Sequence, residues 1–339
     1  MGLKIALVGA TGAVGAVFLQ ILPKSKLKVD ELRLYASKRS TGTRLAYDGK
    51  SLVVQEATPD VFRGVDFAFI SATTEVSRTL CPAAAKAGAI AIDDSSAFRL
   101  EDNVPLVVPE VNAEDLAKHQ RIVATPNCTT VPLVMALHAL RRAAPVTRVT
   151  VATSQAVSGA GAAAVRELTD QTKTVLGGGK AQPSVFPHQI AFNALPQVDA
   201  FMEDGYTKEE WKMQQETRKI LHMSALPFSA TCVRVPVYQA HSMSVQIEFA
   251  KPVSPSEARA LLSEMPGVRV VDDMANKRYP LATEATNADD VLVGRIRKDS
   301  SLANGLALWL SADNLRKGAA LNMIQIAEAM VAQGLVRGE

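Results

Sequence analysis

Cys128 is the residue of this sequence best suited to nucleophilic chemistry. It stands in "VATPNCTTVPLVMAL", after Asn127 and before Thr129, Thr130 and Pro132. Hydroxyl residues followed by a proline and an apolar run mark the start of a helix. A thiol there feels the positive end of the helix dipole, which favours the thiolate. Cys81, in an alanine-rich helix, and Cys232, in a strand, read instead as small apolar core residues. A thiol acting on an aldehyde or acyl group needs a proton carrier. His138 lies in the helix after Cys128, His119 and His222 in polar helical contexts, and His188 in a proline-rich loop. His241 opens the strand "HSMSVQIEF". A turn through "YQA" lets it face one cleft with Arg234.

A second chemical signal lies at the start of the chain. "ALVGATGAVGAVFLQ" sets Gly9, Gly12 and Gly15 between a strand and a helix, with Thr11 where the usual fingerprint has a glycine. Such a loop brings backbone N–H groups to a dinucleotide pyrophosphate at the helix N-terminus. Gly9, Thr11, Gly12, Ala13, Val14 and Gly15 are therefore candidate cofactor contacts. An NAD site would carry an acid near the end of the second strand to bind the ribose hydroxyl. This strand runs into "YASKRSTG" and offers Ser37, Lys38, Arg39 and Ser40 instead. A guanidinium with hydroxyl neighbours suits a 2′-phosphate, so NADP is expected as cofactor, with Ser37, Arg39 and Ser40 as its contacts.

The elements that must position these groups follow from periodicity. Strands are expected at "LKIALVGA", "ELRLYAS", "VDFAFISA" and "AIAIDDSS", with helices at "GAVFLQILPKS" and "EVSRTLCPAAAKAG". This βαβ alternation predicts a parallel sheet with helices on both faces. The middle of the chain changes character. "RVTVATSQAV", "SATCVRVPV", "SMSVQIEFAK" and "ALWLSAD" read as strands, and "GAAAVRELTDQTKTVLGGG" and "KEEWKMQQETRKILHM" as helices, with a loop-rich stretch over 183–206. In "SMSVQIEFAK", Met243, Val245, Ile247 and Phe249 share one face. The C-terminal helix carries Leu321, Ile324, Ala327 and Val331 on one stripe.

Bulk properties narrow the function classes. The 339 residues are enough for two domains. A net charge of +3 gives no reason to expect nucleic acid or an anionic membrane as partner. No apolar run reaches the ~18 residues of a membrane span, and the first residues lack the basic leader of a signal peptide. Three dispersed cysteines form neither a metal pair nor a disulfide framework, so a reducing, cytoplasmic setting is expected.

Eight blocks then occur in order: "GATGAVG", "DDSSAFR", "PNCTT", "QAVSGAG", "FPHQIAFNALPQVD", "EEWKMQQETRKIL", "CVRVPVYQAHS" and "SADNLRKGAALN". Together they make the chain resemble, over nearly its whole length, the bacterial-type aspartate-β-semialdehyde dehydrogenases. Departures are small: "YQAHS" stands for a commoner "RGHS"-like ending, and "PNCTT" has threonine where many members have serine. The resemblance implies a Rossmann-like NADP-binding domain over 1–127 plus 315–339. It implies an α+β catalytic and dimerisation domain with a mixed sheet over 128–314. It implies a homodimer or a dimer of dimers.

The implied reaction interconverts L-aspartate 4-semialdehyde and 4-aspartyl phosphate with NADP and phosphate, on the route to lysine, diaminopimelate, methionine and threonine. By resemblance Cys128 forms a thioester, His241 is the acid/base and Gln155 orients the substrate. Arg234 would bind the α-carboxylate and Glu209 the α-ammonium. Arg99, Lys212 and Asn127 would hold phosphate, and Ser158, Gly159 and Asn314 match cofactor-contacting positions. Without the resemblance, Glu209 and Lys212 read as a plain i,i+3 ion pair and Arg99 as a loop arginine in solvent. The nearest rival reading is an N-acetyl-glutamyl-phosphate reductase. A glyceraldehyde-phosphate-type dehydrogenase is disfavoured by the "RVPV…H" and "EEWK" blocks. A non-catalytic NADP-binding regulator would be favoured by loss of the thiol or histidine, and both are present.

Overall fold

Leu3–Val8 (β1) is an almost unbroken apolar run whose Ile5, Ala6, Leu7 and Val8 are all buried. A strand covered on both faces needs such a run, and this one lies at the middle of a parallel sheet. The computed structural model describes residues 2–336. The chain divides into two units: one runs to Asn127 and resumes at Ala319, and the other spans Cys128–Gly318. Residues 337–339, the end of the expected C-terminal segment, lie outside the described residues.

The first unit continues with Ala13–Ile21 (α1), Val29–Ala36 (β2), Arg44–Tyr47 (β3), Lys50–Glu56 (β4) and Phe67–Ile70 (β5). Thr74–Lys86 (α2), Ile90–Asp93 (β6), the short Pro109–Asn112 (α3) and Ile122–Ala124 (β7) follow. The seven strands lie in the order β3-β4-β2-β1-β5-β6-β7, parallel except for the β3–β4 hairpin. That hairpin is absent from the sequence reading. Register aligns Val8 with Ile70, Ile70 with Asp93 and Asp93 with Ala124. The loops that begin at Gly9, Ser71, Asp94 and Thr125 therefore leave one edge of the sheet, where ligands of open α/β sheets gather. Phe18 and Phe69 meet in the core as a tilted pair, with ring centroids 4.7 Å apart.

The second unit contains Thr130–Leu140 (α4), Val146–Gln155 (β8), Ala162–Leu176 (α5), Lys208–Leu221 (α6), Phe228–Arg234 (β9) and His241–Phe249 (β10). Pro255–Ser263 (α7), Val268–Val270 (β11), Ala282–Ala285 (α8), Val291–Lys298 (β12) and Gly305–Ala312 (β13) complete it. Its six-stranded sheet has the order β11-β12-β13-β10-β8-β9. It is mixed: β8 pairs parallel with β9, and β10 antiparallel with β8 and β13. Met243, Val245, Ile247 and Phe249 are buried, as the alternation requires. The expected turn between Arg234 and His241 joins strands that are not neighbours in the sheet. β8 lies between β9 and β10, and the linker crosses its end, pairing Val157 N–H with Val237 O and Ser158 N–H with Tyr238 O.

Leu321–Ala332 (α9) returns to the first unit. Its Asn322 is fully buried and donates to Val107 O (2.9 Å) and Thr125 Oγ1 (2.6 Å). Its buried face is broader than the expected stripe. Met323, Ile326 and Met330 join Ile324 and Ala327, while Val331 is 44% exposed. The helix packs against α1, α3 and β6 together, which widens the face that must be apolar.

Candidate active site

In the first unit, Gly9 has φ +87° and a Cβ built on it would lie 2.0 Å from Ser71 O, so no other residue fits the turn. Thr11 and Gly12 complete the loop, and Ala13, Val14 and Gly15 form the first turn of α1, which carries no acidic residue. Thr11 Oγ1 lies 3.4 Å from Ser40 Oγ and ties this loop to the one after β2. There Ser37 precedes a single turn over Lys38–Ser40 that exposes Lys38 and Arg39 and contains no acid. A helix start without an acidic residue and an exposed turn carrying Lys38 and Arg39 have the chemistry that a dinucleotide with a 2′-phosphate requires. Arg99, expected from the residues alone to be in solvent, is only 8% exposed, because its Nη2 donates to Asp94 O at 2.9 Å and ties it against the loop after β6. Asn127 is buried at the end of this unit.

In the second unit the register gathers the other groups at one sheet edge. Gln155 ends β8 opposite Arg234 at the end of β9, and His241 begins β10 opposite Ala312. Gln155, Arg234 and His241 are 1%, 6% and 1% exposed. The residue that joins them is Ala156, through its main chain. Its N–H donates to His241 Nδ1 (3.0 Å) and its C=O accepts from Arg234 Nη1 (2.7 Å). Gly159 sits beneath both. A Cβ there would lie 3.0 Å from Arg234 Nη1 and 3.2 Å from His241 Nε2, so the two side chains converge on one spot. Arg234 also lies over the Phe186 ring at 5.9 Å.

The bond from Ala156 N–H fixes the histidine tautomer. Nδ1 is an acceptor, so the ring proton of the neutral imidazole sits on Nε2. That Nε2 is buried without a hydrogen-bond partner among the described residues. Burial, and then the Arg234 charge, hold the His241 pKa well below the ordinary histidine value. With Nδ1 occupied by the Ala156 N–H, the geometry presents a neutral imidazole as an Nε2–H donor.

Glu209 lies in the first turn of α6, whose start is fixed by a capping box. Thr207 N–H donates to Glu210 Oε2 (2.6 Å), and Glu210 N–H donates to Thr207 Oγ1 (3.4 Å). Glu210 also accepts from Cys232 N–H (2.8 Å), which ties the helix start to β9. Glu209 is 6% exposed and accepts from Gln155 Nε2 at 3.0 Å. Thr153 Oγ1 donates to Gln155 Oε1 (3.2 Å) and so sets which way the amide points. Lys212 lies 3.6 Å from Glu209 and is ion-paired with Asp199. The Glu209–Lys212 pair is thus partly buried rather than a solvated surface pair.

Cys128 stands two positions before the first residue of α4 and is partly exposed. Burial lowers the Arg234 pKa against the opposing charges of Glu209, Cys128 and Cys232, which places Cys128 within electrostatic reach of the guanidinium. Cys81 and Cys232 are fully buried, and burial pushes both thiols up. Ser158 Oγ donates to Asn314 Oδ1 (3.1 Å), which also accepts from Ala240 N–H (3.0 Å). Ala156, Thr153 and Asp199 are participants that the sequence reading passed over. Ala156 and Thr153 act through the main chain and through a second side chain, which no motif records.

Comparison with known proteins shows the family. The family described as "Semialdehyde dehydrogenase, NAD binding domain" matches residues 4–119, and "Semialdehyde dehydrogenase, dimerisation domain" matches 137–317. The chain is 50% identical over 341 residues to the aspartate-semialdehyde dehydrogenase of Aquifex aeolicus, covering 99% of this chain and 100% of that one. It is similar to the crystal structure of aspartate semialdehyde dehydrogenase II of Vibrio cholerae complexed with ASA. There the TM-score is 0.95 at 41% identity, over 98% of this chain and 99% of that chain. A Candida albicans aspartate semialdehyde dehydrogenase solved with NADP gives a TM-score of 0.78 at 26% identity, over 99% and 100%.

Proposed function

The chain belongs to the aspartate-semialdehyde dehydrogenase family, and from that premise we propose that it interconverts L-aspartate 4-semialdehyde and 4-aspartyl phosphate with NADP and phosphate. The reaction would serve lysine, diaminopimelate, methionine and threonine biosynthesis. The observation that carries the reading is the meeting of Arg234 and His241 over Gly159, both oriented by the Ala156 peptide.

The Cys128 thiolate attacks the acyl carbon of aspartyl phosphate, and the tetrahedral oxyanion expels phosphate to leave a thioester. The nearby Arg234 guanidinium favours the thiolate. Bound NADPH supplies hydride to the thioester carbon. The resulting thiohemiacetal alkoxide re-expels the Cys128 thiolate and releases the aldehyde. The substrate oxygen neither gains nor loses a proton at any step. It needs only a donor while it carries charge, and the Nε2–H of neutral His241 is such a donor.

Arg234 presents a guanidinium fork to the α-carboxylate, and Glu209 a carboxylate to the α-ammonium, with Gln155 aiming Glu209. Arg99, Asn127 and Lys212 are the phosphate contacts of this reading. Gly9, Thr11, Gly12, Ala13, Val14, Gly15, Ser37, Arg39, Ser40, Ser158, Gly159 and Asn314 are its cofactor contacts. Reading the 2′-phosphate through Arg39 has a direct consequence: Arg39→Ala should weaken NADP binding far more than NAD binding, measured by titration of each. Equal losses would place that recognition elsewhere.

The substrate assignment is tested against its nearest rival. N-acetyl-glutamate semialdehyde has a neutral amide where the aspartyl substrate has an ammonium, and Glu209 would be poorly paired against it. Loss of a hydrogen bond to a charged group costs ~1.5–3 kcal/mol, or about 10- to 150-fold in kcat/KM. Glu209→Gln should lose that much with aspartate semialdehyde. The unmutated enzyme should prefer aspartate semialdehyde to the acetylated aldehyde, and the opposite preference would reject the assignment.

The second unit matches a family described as a dimerisation domain, and a homodimer is part of the reading. A cavity of about 560 Å³ on its sheet is lined by apolar groups that include Trp309, Leu308, Tyr279 and Leu281, together with Arg295 and Arg297. Tyr279 and Leu281 are 37% and 43% exposed in the single chain, as a face awaiting a second copy would be. Pairing of two dimers would extend the same assembly. No helix among the described residues is long and apolar enough to cross a membrane. Three cysteines outside any disulfide suit a reducing, cytoplasmic setting.

A further inference from the structure

Gly318 lies against the backbone of Cys128 within the second unit. A Cβ built on Gly318 would fall 2.8 Å from Cys128 Cβ and 3.2 Å from Cys128 Cα. Carbon atoms in contact sit ≈ 3.5–4.0 Å apart, and neither Cys128 atom is the free end of a flexible side chain. Any side chain at 318 must therefore displace the nucleophile's own Cα and Cβ or push back its own backbone.

The backbone at 318 is poorly able to retreat. It forms a π-type turn over Arg316–Ala320, a wide turn that recurs at functional sites. The turn is tied from behind by Asp313. Gly318 N–H donates to Asp313 O (3.1 Å), and Arg316 N–H to the same oxygen (3.3 Å). The Asp313 carboxylate, fully buried, accepts from Leu315 N–H (2.9 Å), Asn287 N–H (2.7 Å) and Gln239 Nε2 (2.7 Å). Three separate segments thus hold the peptide that Gly318 follows.

We propose that Gly318 is a positioning residue for Cys128: the absence of a side chain at 318 sets where the thiol stands relative to its reaction partners. The proposal rests on the reading of Cys128 as nucleophile. A misplacement of 1 Å can cost about 10²-fold in rate, and the overlap here is of that order or less. Gly318→Ala is therefore expected to lower kcat by about 10-fold or more, with KM for NADP unchanged.

The test measures alkylation of Cys128 by iodoacetamide against pH, located by peptide mapping, in the wild-type enzyme and Gly318→Ala. Alkylation needs no turnover, so it reports on the thiol even if the proposed reaction is wrong. The expected result is a slower Cys128 reaction with a displaced pH profile. A wild-type rate and profile together with wild-type kcat overturns the proposal. Should Gly318→Ala fail to fold, the double variant Cys128→Gly/Gly318→Ala removes the Cβ that the new methyl meets. Recovery of a cooperative melt in the double variant supports the contact, and failure of both variants alike overturns it.

Discussion

Replacing Cys128 with alanine is expected to lower kcat by about 10⁴-fold or more, the scale seen when a covalent nucleophile is lost. NADP binding, which the reading assigns mainly to the glycine loop and the Ser37–Ser40 loop, should survive unchanged. Cys81→Ala and Cys232→Ala should keep most of the activity, because both thiols are fully buried core groups whose burial disfavours the thiolate. Their cost should appear as stability instead. Initial rates and NADP titrations on the three variants check this, and near wild-type turnover in Cys128→Ala would remove the covalent step.

The second large effect concerns His241. As a donor to a charged oxygen it should be worth about 10²–10³-fold in kcat, the usual loss for an oxyanion-hole donor. His241→Ala should show that full loss. His241→Gln restores an N–H near the same place and should recover part of it. Equal losses in both would point to proton transfer rather than donation. The pH dependence gives an independent reading. With its pKa held well below the ordinary value by burial and Arg234, His241 takes up a proton only well below pH 6.5. Protonation would also oppose the Ala156 N–H at Nδ1. The kcat profile should therefore show no limb from His241 between about pH 6.5 and 8. An ordinary histidine limb in that window, absent from His241→Gln, would contradict the neutral-donor assignment.

Some of this architecture is plain in the sequence and some is not, for identifiable reasons. The glycine loop is legible because a strand, a turn and a helix must follow one another to hold a pyrophosphate, and each leaves a local signature. β10 is legible because one face is buried and the other is not. The β3–β4 hairpin is short and half polar, yet its turn does carry a signal: Asp48 and Gly49 both adopt positive φ, as an Asp-Gly hairpin turn requires. β11 and β12 escape notice because one is three residues long and the other turns basic at its end, in "VLVGRIRK".

The site divides along the same line. Cys128 and His241 are readable as chemistry because thiols and imidazoles are few. The device that orients His241 and Arg234 is the main chain of Ala156, and no side chain announces it. The placement of β8 between β9 and β10 is likewise a long-range fact. The spacing of Arg234 and His241 suggests a turn between them, and only the sheet order, with β8 between their strands, explains how they meet.

The covalent intermediate offers the most direct test. The enzyme would be mixed with NADP and aspartate semialdehyde without phosphate, quenched in acid, digested and analysed by mass spectrometry. The account predicts an aspartyl group on the peptide containing Cys128 alone, discharged when phosphate is added before the quench. A label on another residue, or no label while phosphate-independent NADPH accumulates, would contradict it.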